Sequence, residues 1–317
     1  MPLPLPSQAH VDSLLTNVSI AYSQEPGNFI ADQAAPIIQV EKQSDLYRIF
    51  DKAMWLRDDF QLLGVGAEAA ETGYTLSSAS YYIPVKALSE VIDDQLRANF
   101  DAPGDPDIAA TENLTQRALI SREKAFVTDA FSSSLWGTTT TLAGADQWSD
   151  PVGSDPKEAV QTAQLTVLTN TGQMPNTMIV GFAVHQALQR HPLVREQFKY
   201  TSAESINEAM LARFFEVDRY LVSKAANITS AENATVVGAL VAGKSALICY
   251  IPSSPGLMTP SAMYTFAWRG LVGGSNGLRV LNIPMPWKHG NKIEVQQAIK
   301  HVITGSDLGY FYASAVA

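Results

Sequence analysis

Asp105-Pro-Asp-Ile-Ala-Ala-Thr-Glu-Asn-Leu-Thr-Gln-Arg-Ala-Leu-Ile-Ser-Arg-Glu-Lys-Ala-Phe-Val-Thr-Asp-Ala-Phe-Ser-Ser-Ser-Leu-Trp136 is the stretch on which the reading of this chain turns. An aspartate at the N-cap accepts from exposed amides, and proline suits the first helical position. No Gly or Pro interrupts the run from Asp107 to Trp136. Leu114, Ala118 and Ala125, with Leu119, Phe126 and Ala130, recur at spacings of four and seven, which is one apolar stripe on a helix. Asn113, Gln116, Arg117 and Lys124 are left for the wet side. The pattern predicts a helix over 107–136, roughly 40 Å long at about 1.5 Å per residue.

Downstream, residues 137–157 read as a loop, with Gly137, Gly144, Gly153, Pro151 and Pro156 among Ser, Thr and Asp. Lys157 to Asn170 is a second helix marked by Val160, Leu165 and Leu168. Strand and helix then alternate. Thr177 to Val180 is a buried strand, Phe182 to Arg190 a helix stopped by His191-Pro192, and Ile206 to Arg213 a further helix. Val217 to Val222, Ser245 to Ile251, Met263 to Trp268 and Leu278 to Ile283 read as strands. From Lys292 to Thr304, Ile293 and Val295 alternate with Lys292, Glu294 and Gln296, and Ile299 and Ile303 continue the apolar set. Period two puts that set on one face of a strand about twice the usual length. Gly305-Ser-Asp307 supplies a turn, after which Leu308 to Tyr312 is expected to return antiparallel.

Upstream, residues 1–45 show no sustained helical period and are punctuated by Pro2, Pro4, Pro6, Pro26 and Pro36. They still hold Phe29, Ile30, Ile37, Ile38 and Val40, which an extended arm cannot bury alone. Such an arm lies across its own domain or on a neighbour. Residues 46–95 read as β-rich around a small-residue, acidic middle, Gly64-Val-Gly66 and Glu68 to Gly73. Tyr74 to Ile83 follows, rich in β-formers at its ends, and Pro84 restricts it to an edge or bulge. Two strand-like arms around such a tip predict a long protruding hairpin.

Composition narrows the classes. A formal net charge of -9 disfavours general nucleic-acid binding through a basic surface. One cysteine, Cys249, excludes an intrachain disulfide framework, and its apolar surroundings predict a buried thiol. Met-Pro-Leu-Pro-Leu-Pro-Ser at the start has no basic or apolar region of a secretory signal, and no stretch approaches the ~20 apolar residues of a membrane helix. The expectation is a protein made, and kept soluble, in a cytoplasm.

Motifs that carry chemistry fail on context. Gly238-Ala-Leu-Val-Ala-Gly243-Lys244-Ser245 fits a Walker A phosphate loop letter for letter. That loop needs a helix after it, with its N-terminus aimed at phosphate. Here Ala-Leu-Ile-Cys-Tyr-Ile-Pro follows, a buried strand. His10, His185, His191, His289 and His301 show no zinc-like spacing. Asp58-Asp59 and Asp93-Asp94 point to opposite faces if on strands, so they make poor catalytic dyads. No Gly-x-Ser-x-Gly elbow occurs. The pairs Tyr81-Tyr82 and Phe214-Phe215 lack neighbouring cations and fit a core or an interface. No catalytic, cofactor or metal residue is expected.

The order of elements is irregular arm, long hairpin, long helix, mixed α/β region, long C-terminal ribbon. It resembles the major capsid proteins of tailed bacteriophages with the Hong Kong 97-like fold. Local text is similar too: Pro175-Asn-Thr-Met-Ile-Val180 leading to Leu188-Gln-Arg-His-Pro192, Phe214-Phe-Glu-Val-Asp218 with Tyr220-Leu-Val222, and Gly243 to Tyr250 followed by Tyr264-Thr-Phe-Ala-Trp268. The resemblance implies an α+β fold with an N-terminal arm (1–45), an extended loop with flanking strands (46–95), a peripheral domain (96–170 and 288–317) holding a spine helix, and an axial domain (171–287). It implies a structural subunit, not an enzyme, that joins itself in hexamers and pentamers around packaged DNA, in a virion assembled in the host bacterial cytoplasm. Scaffolding, portal or decoration proteins are possible partners, and a membrane is not one. Phe29, Ile37, Ile38, Phe60, Leu62, Leu63, Tyr81 and Tyr82 are the expected inter-subunit contacts. The alternatives are an encapsulin-like compartment of the same fold and, from another class, a P-loop hydrolase using Gly243, Lys244 and Ser245.

Overall fold

A computed structural model describes residues 24–317 apart from 51, 53–55, 67, 70, 74–75, 100–104, 200–205, 231–233, 236, 257–258 and 273–276. The strands are β1 (Ile37–Val40), β2 (Ser44–Phe50), β3 (Leu76–Tyr82), β4 (Val85–Asp93), β5 (Thr138–Thr141), β6 (Thr177–Gly181), β7 (Arg219–Ser223), β8 (Ala226–Ile228), β9 (Gly238–Leu240), β10 (Ala246–Cys249), β11 (Met263–Trp268), β12 (Leu278–Met285), β13 (Gly290–Ile303) and β14 (Gly309–Ala313). The helices are α1 (Ala31–Ala34), α2 (Asp94–Ala98), α3 (Pro106–Ala130), α4 (Pro156–Thr171), α5 (Phe182–Arg190), α6 (Pro192–Phe198), α7 (Glu208–Phe214) and α8 (Arg269–Val272).

One five-stranded sheet runs β5-β14-β10-β6-β7. It is buried on both faces, and the pleat divides its residues between two cores. Met178, Val180, Ile248 and Tyr312 enter a core with α4, α5 and α7 through Val160, Leu188 and Leu211. Their neighbours Ile179, Leu247, Cys249 and Phe311 enter a second core with Phe126 and Trp136. The other sheet runs β1-β11-β13-β12, with β4 also paired to β13. There α3 lies over the ribbon, and Ala110 and Leu114 pack with Ile92, Ile293 and Val295. β2–β3 and β8–β9 are separate hairpins. This is the expected α+β fold.

The ends of α3 show which local signals governed. At its start the Asp105 side chain accepts from Asp107 N–H at 2.9 Å, and Pro106 opens the helix. Its end corrects the expectation: the helix stops at Ala130, not Trp136. The Ser132 and Ser134 hydroxyls bond each other at 3.1 Å, and Trp136 folds back so that Nε1 donates to Ala130 O at 2.7 Å. Residues 138–141 are not loop. The four threonines form β5, parallel to β14 from the far end of the chain. Pro192 does not merely stop α5. It starts α6 as the first helical residue.

The C-terminal turn also differs from expectation. β13 pairs with β12 and β4 over residues 290–298 and with β11 over residues 299–303. The chain after it leaves the ribbon, and β14 pairs antiparallel with β10. Residues 309–313 therefore sit in the sheet built mainly from residues 177–249.

Candidate functional site

Two segments were expected to carry contacts between copies, and they behave differently. The first, residues 24–40, is stitched to its own chain. Gln24 brackets Ala226, donating to its carbonyl at 2.8 Å and accepting from its N–H at 3.0 Å. Arg219 donates to Gln33 O at 3.2 Å. Thr265 donates to Pro36 O through its N–H at 2.9 Å and to Ala35 O through Oγ1 at 2.9 Å. β1 then runs parallel to β11, with Ile37 opposite Thr265 and Ile38 opposite Phe266. Phe29, Ile37 and Ile38 are half-buried.

Glu123 holds the middle of this strap. Its Oε2 accepts from the N–H groups of Ile30 and Ala31, both at 3.0 Å, and its Oε1 accepts from Ser223 Oγ at 2.8 Å. Burial raises the Glu123 pKa above the usual carboxylate range, against the lowering effect of those donors. Beside it, Arg122 pairs with Asp32. The sequence reading missed this pair. The signal was present, since Arg122 and Glu123 stand three and four residues after Leu119, on the stripe shared with Phe126 and Ala130.

The second segment protrudes. β2 and β3 pair antiparallel from Ser44–Tyr82 to Phe50–Leu76. Tyr81 turns inward, its ring 4.9 Å from Phe266, while Tyr82 stays exposed. Beyond the strands, Phe60 is 100% exposed, Leu62 105%, Leu63 63% and Val65 111%. Clustered bare apolar side chains of this kind mark an interaction surface. Tyr74 and Thr75, read from sequence as part of the return strand, lie outside the described residues.

The remaining candidates are structural. Gly243 takes φ +61 and Lys244 lies in a turn before β10, so Gly243-Lys244-Ser245 leads into a strand and opens no helix of its own. That turn is filled. Ala315 N–H donates to Lys244 O at 2.8 Å, and a Cβ on Gly181 would strike Gly243 O. The phosphate-loop alternative lacks its required geometry. Cys249 is fully buried, and burial pushes its thiol up to about 12. His185 contacts Tyr220 Oη at 3.3 Å, His191 contacts Ser154 Oγ at 3.2 Å and His301 contacts Thr265 Oγ1 at 2.9 Å. His10 lies outside the described residues. Among the described residues no three His, Cys, Asp or Glu side chains could hold a metal ion, and no helix is long and apolar enough to cross a membrane.

A strapped two-sheet body with a long helix over a ribbon and a bare projecting hairpin is the architecture of tailed-phage shell proteins. The family model for phage major capsid protein E matches residues 127–296, and the chain belongs to that family. A major capsid protein of Pseudomonas phage JBD67 is 25% identical over 97% of both chains. Among solved structures, a phage-related protein from Bordetella bronchiseptica RB50 superimposes with a TM-score of 0.71 at 22% identity, covering 92% of this chain and 94% of that one. The capsid of the cyanophage P-SCSP1u gives a TM-score of 0.63 at 12% identity, covering 97% and 93%.

Proposed function

We propose that this chain is the subunit that builds the closed icosahedral head of a tailed phage, joining copies of itself in hexamers and pentamers around the DNA genome. The observation that carries this is the bare hairpin tip. Phe60, Leu62 and Val65 have no cover among the described residues, and burying each is worth about 1.5–3 kcal/mol. Self-association supplies that cover. Phe60, Leu62, Leu63 and Tyr82 are the contact residues of the first rank. Phe29, Ile37, Ile38 and Tyr81 act through it, by fixing the strap and the hairpin root.

In domain terms, residues 46–95 are the extended loop with its flanking strands, α3 with β12 and β13 is the peripheral unit, and the β5-β14-β10-β6-β7 sheet with its helices is the axial unit. The strap from residue 24 ties them together. The role is structural rather than catalytic, and its place is the virion, after assembly in the host cytoplasm. The acidic balance suits a wall that encloses DNA without gripping it. Scaffolding, portal and decoration proteins are the further partners such a shell takes. An encapsulin-like compartment shares the fold, and the family match favours the phage reading. Sedimentation of the purified chain tests self-association. Rapidly sedimenting species that vanish when Phe60, Leu62 and Leu63 become serine support it, and a monomer at every concentration refutes it.

A further inference from the structure

Between α3 and β4 the surface opens into a cleft of about 150 Å³. The strands set one wall. Leu88 stands opposite Val295 and Lys86 opposite Gln297, so the pleat turns these four to one face, the face that packs on α3. Spacings of three and four bring Leu114, Arg117, Ala118 and Ser121 to the other wall, along one side of α3. Leu114 and Val295 are buried and Leu88 is 44% exposed, which makes an apolar floor open to solvent. The polar groups around that floor can all donate, and no carboxylate lines it among the described residues. Lys86 and Arg117 are exposed and in no ion pair among the described residues, and Ser121 adds a hydroxyl. Gln297 is 5% exposed, and its buried Nε2 has no hydrogen-bond partner. A buried amide donor without an acceptor is costly, and a ligand that brings the acceptor removes the cost.

Three requirements define that ligand: an acceptor for Gln297, a negative charge for Lys86 and Arg117, and an apolar body for the floor. A carboxylate meets the first two at once. Its two oxygens offer about four lone-pair sites, and hydrogen bonds to a charged group are roughly twice as strong as neutral ones. Volume limits the third. An apolar cavity of ~150 Å³ takes up benzene, so one ring or one branched alkyl group fits and a long chain does not. Inorganic phosphate would satisfy the donors but leave the floor wet. We infer that the cleft between α3 and β4 is a binding site for a small carboxylic acid with a compact aryl or branched-alkyl body. Gln297, Arg117 and Lys86 hold its carboxylate, and Leu88, Leu114, Ala118 and Val295 take its body. The site lies within one chain, so it goes beyond the shell reading and does not depend on it.

The test titrates phenylacetate against the purified full-length chain and reads binding from the broadening of its aromatic proton resonances. The expected result is saturable binding, about tenfold tighter than that of phenylacetamide, which keeps the body and lacks the charge. Inorganic phosphate at the same concentration is expected not to displace it. Ala118→Leu fills the floor and is expected to abolish binding. Gln297→Met keeps the side-chain length without the amide and is expected to weaken binding about tenfold. Arg117→Gln, at an exposed helix position where folding is not at stake, is expected to weaken it about fivefold and keeps the test decisive if a floor variant fails to fold. Absence of saturable binding overturns the site. So does equal affinity for acid and amide, displacement by phosphate, or binding that survives Ala118→Leu in a folded chain.

Discussion

Glu123 and Ser223 stand 100 residues apart in sequence and meet at 2.8 Å, the hydroxyl donating to a carboxylate that also holds the amides of Ile30 and Ala31. One side chain thus joins the strap, the long helix and the sheet that contains β7. Removing it leaves buried donors unsatisfied, at about 1–3 kcal/mol for each group. Glu123→Ala is expected to lower unfolding stability by about 2–4 kcal/mol in a urea titration of the unassembled chain. Strap-to-body protection in hydrogen exchange is expected to fall with it. An unchanged midpoint contradicts the clamp.

His301 gives the fold an acid-labile point. It is buried against Phe126 and Thr265, and burial, with Arg122, lowers its pKa to about 3 from the ordinary 6.5. The unfolded chain therefore takes up this proton first. The His301 contribution is complete above pH 6.5 and is lost as pH falls toward 3. The slope is on the order of 1.4 kcal/mol per pH unit inside that window. His301→Gln is expected to flatten this part of the stability profile, and equal slopes in both proteins contradict the assignment. Glu123 acts in the opposite sense. Its raised pKa makes the native chain the stronger proton binder, so its own contribution falls as pH rises from the usual carboxylate value of 4.5 through the raised one.

The two adjacent tyrosines separate folding from association. Tyr81→Ala removes the ring packed on Phe266 and is expected to cost about 1–3 kcal/mol. Tyr82→Ala, at an exposed position, is expected to change stability by less than about 0.5 kcal/mol and to slow assembly. Equal thermal shifts in the two variants contradict the inward and outward assignment.

Lys244 supplies a negative test. Its loop leads into β10 and not into a helix. Titration with a fluorescent ATP analogue is expected to show no saturable binding in the unsubstituted chain and no change in Lys244→Ala. Binding lost on that substitution restores the phosphate-loop reading.

Where the sequence was legible, the signal was local. α5 runs from Phe182 to Arg190 and β11 from Met263 to Trp268, as their periodicity indicates. β13 follows from the alternation around Ile293 and Val295. What escaped was decided at a distance. Thr138 to Thr141 become a strand because Tyr310 to Ala313 return to pair with them. β14 leaves the ribbon and pairs with β10 in the other sheet. Phe29 and Phe60 look alike as apolar residues in irregular sequence, yet the first is half-buried and the second is bare. The difference lies in Glu123, Arg219 and Thr265, which bind the strap and have no counterpart at the hairpin tip among the described residues. The Lys244 motif misleads for the converse reason. Its letters are local, but phosphate binding depends on the helix that must follow.

Electron cryomicroscopy of the purified full-length chain addresses self-assembly most directly. The account predicts closed, symmetric particles whose walls are rings of this subunit, with density covering Phe60, Leu62 and Val65 of each copy from a neighbouring one. Dispersed single subunits, or particles in which those three side chains face solvent, would contradict it.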